Sequence, residues 1–367
     1  MSNAQLRARA ALASLLPRMG AWTATVLFSP YRQPPELGTL AEDELDEMIG
    51  SRLGPLLLDY LHTHDTEVPD AVRRFLSTAQ AVGQLRVQAI VQAAGAVAAM
   101  CRENGIRFVI TKGPGIAAHY PDPTLRPFGD VDFLVAERDF PRARALLEAD
   151  GWHPNEQRRE QRRYFERLCR EAVNLELGDL GRVDLHHRVP PWLWGQDLGV
   201  GRLIDRADAG CYDGVELPVL DAIDNFLVSC LHIVSDRSEP GQSLLVWRDI
   251  VELGRVIDID ETARRAAAAG LLGWVGAVVA GLPADVRPFP VPEKWLATPI
   301  PHPRRVVALV QGAIDHRPIK GHLARLPIVP NGMLYAAGVA FPDRRFLAAN
   351  VSGSMKLARW ITNRRGR

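Results

Sequence analysis

The sequence predicts an α+β protein in which a small mixed β-sheet core is flanked by N-terminal and C-terminal helical regions. Three observations predict it. Apolar residues recur at three-to-four spacing through the first hundred residues, as on one face of a helix. From Arg107 to Val219 that pattern gives way to short β-branched and aromatic runs separated by turn residues. After Asp221 the helical spacing returns. The expected regions are residues 1–80, 81–220 and 221–367.

Taken in order, Leu6–Leu16, Glu42–Ile49 and Leu53–Leu61 read as helices separated by proline-containing segments. A longer helix is expected from Asp70 to about Glu103, because Pro69 suits its start and Gly105 its stop. Arg107–Thr111 and Asp130–Val135 read as strands, followed by a helix at Phe140–Ala149. Ala172–Leu177 and Arg182–His187 form an expected hairpin about the turn residues 178–181, and Val215–Val219 reads as a further strand. Helices are then expected at Ala222–Ser235, Leu244–Ile257, Glu261–Ala269 and Leu271–Leu282. The proline-rich stretch from Pro283 to Pro303 reads as an irregular connection.

Composition narrows the function classes. Forty-seven per cent of the 367 residues are apolar and 24% charged, so a sizeable core can be buried. Forty-four lysines and arginines nearly balance 43 aspartates and glutamates. That balance gives no support for a nucleic-acid partner bound through bulk positive charge. Cys101, Cys169, Cys211 and Cys230 are widely spaced, with no C-x-x-C pair, and read as reduced thiols. Met1–Gly20 lacks the uninterrupted apolar centre of a signal peptide, and no stretch has the roughly 20 apolar residues of a bilayer span. A cytoplasmic protein with no membrane partner is expected.

The chemistry-bearing segment runs from Val109 to Val135. Asp130 and Asp132 lie two apart on an expected strand, so their carboxylates share a face while Val131 and Phe133 turn to the core. Adjacent carboxylates repel unless a cation sits between them. Mg²⁺ (or Mn²⁺) takes carboxylate oxygens together with substrate phosphates and water. A two-metal centre needs further anionic ligation. Asp184 supplies it if its strand lies beside that of Asp132, with His186 on the same face and Val183 and Leu185 in the core. Before the carboxylates, Lys112-Gly113-Pro114-Gly115 follows a strand and opens a helix expected at Ile116–Tyr120. Backbone amides of Gly113 and Gly115 can approach phosphate oxygens there, with Lys112 and Arg126 adding charge. Asp130, Asp132 and Asp184 are therefore the candidate metal and catalytic residues, and Lys112, Gly113, Gly115 and Arg126 the candidate nucleotide contacts. A D-x-D at a strand start is also a common solvated turn, and Asp184 alone reads more readily as an edge-strand charge. Their combination with the glycine turn favours the metal–phosphate reading.

Lys112-Gly113, Tyr120-Pro121-Asp122-Pro123, Leu125-Arg126-Pro127 and Gly129-Asp130-Val131-Asp132-Phe133-Leu134-Val135 together resemble the uncharacterised nucleotidyltransferase family of the polymerase β-like superfamily. Val183-Asp184-Leu185-His186 is similar to that family's later strand, and His232 and Trp247-Arg248-Asp249-Ile250 to its helical segment. The resemblance covers roughly residues 80 to 255. It implies a small mixed sheet with flanking helices, an NTP substrate with Mg²⁺ (or Mn²⁺), and transfer of a nucleoside monophosphate to an acceptor with release of pyrophosphate. Asp130 and Asp132 carry over as metal ligands and Asp184 as the third carboxylate. The chain departs from the superfamily in having Gly113-Pro114 where Gly-Ser is usual, and in the longer gap from there to Asp130.

Other residues carry open readings. His186 is a candidate for contacting the acceptor or for holding the metal ligands from behind, and reads otherwise as a packed or exposed histidine; with His187 and one aspartate it lacks the further ligands of a metallohydrolase. His232 and Asp249, on expected helices, read either as an inter-helix hydrogen bond or as part of the site. Pro190–Trp194 reads as an aromatic platform or a hydrophobic plug, and the Lys356–Arg367 run as a solvated terminus. No G-x-S-x-G elbow and no complete P-loop is present. The near-neutral charge favours a small-molecule or peptide acceptor. The alternatives are a non-catalytic nucleotide- or partner-binding module, and phosphoryl transfer from the same metal site.

Overall fold

The computed structural model describes residues 19–31, 39–154, 172–178, 181–189, 198–235 and 244–298. These all lie within one compact unit, Leu12–Asn155 with Glu171–Thr298. Several expectations lie outside the described residues: the Leu6–Leu16 helix, Cys169, Pro190–Trp194 and everything from Pro299 onward.

Among the described residues, seven strands form one mixed sheet: β1 (Phe108–Thr111), β2 (Val131–Val135), β3 (His153–Pro154), β4 (Ala172–Leu177), β5 (Gly181–His186), β6 (Asp208–Tyr212) and β7 (Val215–Val219). They lie side by side in the order β3-β4-β5-β2-β1-β7-β6. β1 with β7 and β2 with β5 run parallel, and the other neighbours antiparallel. The β4–β5 hairpin forms as expected, with Leu177 opposite Gly181. β3 and β6 were not expected. β3 is only two residues long, and β6 (DAGCY) lacks the β-branched run that marks a strand.

The helices are α1 (Ala21–Phe28), α2 (Glu42–Gly50), α3 (Gly54–Thr63), α4 (Asp70–Glu103), α5 (Gly113–Ala117), α6 (Phe140–Ala149), α7 (Val200–Asp205), α8 (Ala222–Ser235), α9 (Leu244–Gly254), α10 (Ile259–Ala268), α11 (Leu272–Gly281) and α12 (Glu293–Ala297). α4 spans the residues its proline and glycine boundaries predict, and Gly105 beyond it adopts φ 65°. α1, α7 and α12 were not expected; α7 and α12 are of one to two turns, too short for a periodic pattern to register. α12 falls inside the stretch expected to be irregular, with Trp295 buried on it.

Period-two alternation sorts the sheet residues between two faces. Phe108, Ile110, Val131, Phe133, Val173, Leu175, Val183 and Leu185 turn one way. They meet Val87, Ile90, Val91, Ala94, Val97 and Ala98 of α4, and Ala143 and Leu147 of α6. Each valine or isoleucine removed from water there contributes roughly 1.5–3 kcal/mol. Asp132, Leu134, Asp184 and His186 point to the opposite face. Helices α8 and α9 pack against each other, with α8 touching α5 and α9 touching α1. This apolar cluster thus lies on the α4 side, and the polar residues of β2 and β5 turn to the other face, where α8, α9 and α11 bury apolar residues of their own. Among the described residues, no helix is long and apolar enough to cross a membrane.

Candidate active site

Asp132 of β2 lies directly opposite Asp184 of β5, and Leu134 opposite His186. Neighbouring strands run about 4.8 Å apart, so this register alone brings the two carboxylates together. The His186 imidazole Nε2 lies 2.9 Å from Asp132 Oδ1, and Lys112 Nζ lies 3.4 Å from the same oxygen. One donor atom from each of Asp132, Asp184 and His186 falls within 4.8 Å of the others. Asp130 precedes β2 rather than starting it, yet it lines the same cavity as Asp132 and Asp184. This cavity of about 190 Å³ is closed by Ser229 and His232 of α8 and by Leu245 and Asp249 of α9.

The electrostatics follow from crowding three carboxylates in a buried place. Burial pushes the Asp184 carboxyl up, and the charges of Asp132 and Asp130 push it further, to about 6. Asp130 is raised by burial and then by Asp132. Burial would also raise Asp132, but the Lys112 charge and the His186 hydrogen bond outweigh it and hold that carboxyl well below the usual range. His186 is lowered by burial and raised more by Asp132, so its net shift is upward. His232 is pushed down to about 3, by burial first and then by the Lys112 charge, and stays neutral. Hard carboxylate oxygens carrying excess negative charge are the donor set a divalent cation takes.

Asn174 sits opposite Asp184 on β4 and donates its side-chain amide to Asp184 Oδ1. The hairpin register carried that information: a turn at residues 178–181 places 174 across from 184. Arg52, between α2 and α3, also lines the carboxylate cavity, with φ 61°. No local pattern in the sequence marks it, because it reaches the site from a separate helical segment.

The glycine turn differs from expectation. α5 begins at Gly113 rather than Ile116, since Pro114 suits a first helical turn and Asn225 Oδ1 accepts the Lys112 N–H at 3.1 Å, fixing the residue before the helix. The Gly115 N–H therefore donates to the Lys112 carbonyl at 2.9 Å, and its Cα faces Val219 and Asn225. Gly115 does not line the carboxylate cavity, and its expected phosphate contact is replaced by close packing. Gly113 does line the cavity, with φ 37°, and a Cβ there would meet nothing nearer than 3.7 Å. Its glycine answers to backbone conformation rather than to space.

Arg126 and Asp249 are found in each other's hands. The Arg126 guanidinium donates Nε to Oδ1 at 3.0 Å and Nη2 to Oδ2 at 2.8 Å, and the Tyr120 hydroxyl donates to the same Oδ1 at 2.7 Å. Asp249 is 1% exposed and Arg126 7%. Burial disfavours the guanidinium charge, but Asp249 outweighs it and keeps Arg126 protonated. Asp249 makes these bonds to Tyr120 and Arg126, neither of which lies on an α-helix, and it lines the carboxylate cavity.

Among known proteins, the model of the uncharacterised nucleotidyltransferase family matches residues 42–281. One solved structure that matches is the antibiotic-resistance factor ANT(2'')-Ia in solution, 14% identical, with a TM-score of 0.34. The match covers 48% of this chain and 89% of that one. No curated protein matches the chain. The family match takes in the whole sheet, the three aspartates and both helices that close the cavity, and this chain belongs to the uncharacterised nucleotidyltransferase family.

Proposed function

We propose that the protein transfers a nucleoside monophosphate from an NTP to a hydroxyl-bearing acceptor and releases pyrophosphate. The observation that carries this reading is the facing pair Asp132 and Asp184 on parallel strands, with Asp130 in the same cavity and Lys112 and His186 on Asp132. Asp130, Asp132 and Asp184 would hold Mg²⁺ (or Mn²⁺), which supplies neutralisation of phosphate charge when bound. Lys112 binds the triphosphate as a point charge, and Gly113 lines the same cavity. α5 is only five residues long, so its own field contributes little beside that charge.

In the reaction the acceptor oxygen attacks the α-phosphorus, a P–O bond forms, the P–O bond to the β-phosphate breaks, and pyrophosphate leaves. The Asp184 oxygen that Asn174 does not hold receives the hydroxyl proton. His186 orients Asp132, and neutral His232 lines the same cavity. The helical regions before and after residues 81–220 supply Arg52 on one side, and His232 with Asp249 on the other. The free thiols of Cys101, Cys211 and Cys230 suit the reducing cytoplasm, where we place the protein.

The test is pyrophosphate release and product mass with Mg²⁺ and each NTP. A product heavier by a nucleotide is expected, and a product heavier by phosphate alone would mean phosphoryl transfer. Asp132→Asn removes the carboxylate charge that faces His186 and Lys112 and should lower turnover by a factor of roughly 10³ or more, several kcal/mol of transition-state stabilisation. NTP binding without release under any condition would make the site a binding module.

A further inference from the structure

A second, larger cavity of about 650 Å³ adjoins the carboxylate cavity and shares Arg52, Arg126 and Pro127 with it. Its volume is that of a site for a whole small molecule, roughly 300–1,000 Å³. Its floor is apolar, with Leu76 and Val87 of α4 beside Pro127. Along one side run Gln80, Gln84 and Gln88, four residues apart on α4 and therefore on one helical face. Each amide offers both donors and an acceptor, which suits hydroxyl groups. The charged residues lining it, among the described residues, are Arg52, Arg86, Arg126 and Asp213. Arg126 is already paired with Asp249, which leaves two arginines against one aspartate.

We infer that this cavity receives the acceptor, and that the acceptor is a hydroxylated small molecule with an apolar part and neutral or negative charge. The inference rests on the nucleotidyl-transfer reading and adds the acceptor class to it. Lys112 and Gly113 line the carboxylate cavity and not this one, so the phosphates are anchored away from the shared wall. In-line displacement requires an acceptor entering by that wall to meet the α-phosphorus opposite the leaving pyrophosphate. Tyr212 is the single aromatic ring in the described lining, and it packs against Phe128 at 5.5 Å, so no pair of rings is present to sandwich a base. Two arginines at the wall repel a polycation.

The experiment offers α-phosphate-labelled NTP and Mg²⁺ with small-molecule extracts separated by ion exchange into cation-retained, neutral and anion-retained fractions. Parent and Gln84→Trp are compared; Gln84 is exposed on a helix and lines the cavity, so an indole there narrows it. Label transfer in the neutral or anion-retained fraction, reduced at least tenfold in Gln84→Trp, is expected. The thermal stabilisation by Mg²⁺ with NTP should be equal in the two proteins. Equal transfer by Gln84→Trp overturns the inference, as does transfer confined to the cation-retained fraction. No transfer from any fraction by protein that still binds Mg²⁺ and NTP removes a small-molecule acceptor. Loss of NTP stabilisation in Gln84→Trp alone would put the nucleoside in this cavity instead. Loss in both proteins would count against nucleotidyl transfer itself.

Discussion

Removing the Arg126 side chain tests whether this arginine is primarily a structural partner or a phosphate ligand. In Arg126→Ala the Asp249 carboxylate, 1% exposed, loses two of the three donors that hold it and keeps only the Tyr120 hydroxyl. Breaking a buried ion pair from one side costs about 3–5 kcal/mol, because the remaining charge is left without compensation. Against a total stability of roughly 5–15 kcal/mol, that is a large fraction. At roughly 2–4 °C per kcal/mol for a unit of this size, Tm should fall by about 6–20 °C. Urea midpoints and scanning fluorimetry measure it. The double variant Arg126→Met, Asp249→Leu removes both charges and should cost less than the two single changes summed, with a coupling of about 2 kcal/mol or more. A loss under about 1 kcal/mol in Arg126→Ala would refute the reasoning. The pair would then be solvated, and the guanidinium free to meet a triphosphate as the sequence alone suggests.

Without metal, stability should fall as pH rises from about 4 to about 6. Asp184 is raised from 3.8 to about 6, so the folded state binds its proton more tightly than the unfolded chain across that window. Raised Asp130 acts in the same direction, and raised His186 adds stability below about 6.5 that is lost above it. Asp184→Asn should flatten the slope and stabilise the metal-free protein while abolishing transfer; a steeper slope in that variant would contradict the assignment. Mg²⁺ should oppose the loss, since its binding displaces the proton. The two glycines of α5 should separate cleanly. Gly115→Ala puts a Cβ 3.1 Å from Val219 Cβ and 3.2 Å from Asn225 Nδ2, and should cost about 1–3 kcal/mol of stability with NTP affinity unchanged in the folded fraction. Gly113→Ala has room for its Cβ but a positive φ, so a cost of about 1–2 kcal/mol should come with weaker NTP binding. Equal NTP loss in both would restore a phosphate role to Gly115.

Much of the frame was legible because it is written in short-range pattern. Pro69 and Gly105 bracket a helix whose apolar face is densest from Val87 to Cys101, and α4 forms there. Alternation in Val131–Val135 and Val183–His186 sorts core from site residues before any neighbour is known, and β2 and β5 obey it. The site was legible where a residue type and a strand face sufficed, as for Asp132 and Asp184. It was not legible where a partner had to be chosen across the chain. Arg126 read as a phosphate ligand because nothing near it in sequence reveals Asp249, 123 positions away. Gly115 read as a phosphate cradle because its contacts, Val219 and Asn225, arrive only when β7 and α8 pack against α5. Arg52 left no trace, being an ordinary charged residue until the α2–α3 turn meets Gly129. By itself the sequence determined which residues carry charge and which face of each strand they occupy, since helical and strand periods follow from local backbone geometry. Only the tertiary structure decided which charges neutralise one another and which remain for a ligand, because that depends on burial and on contacts between segments distant along the chain.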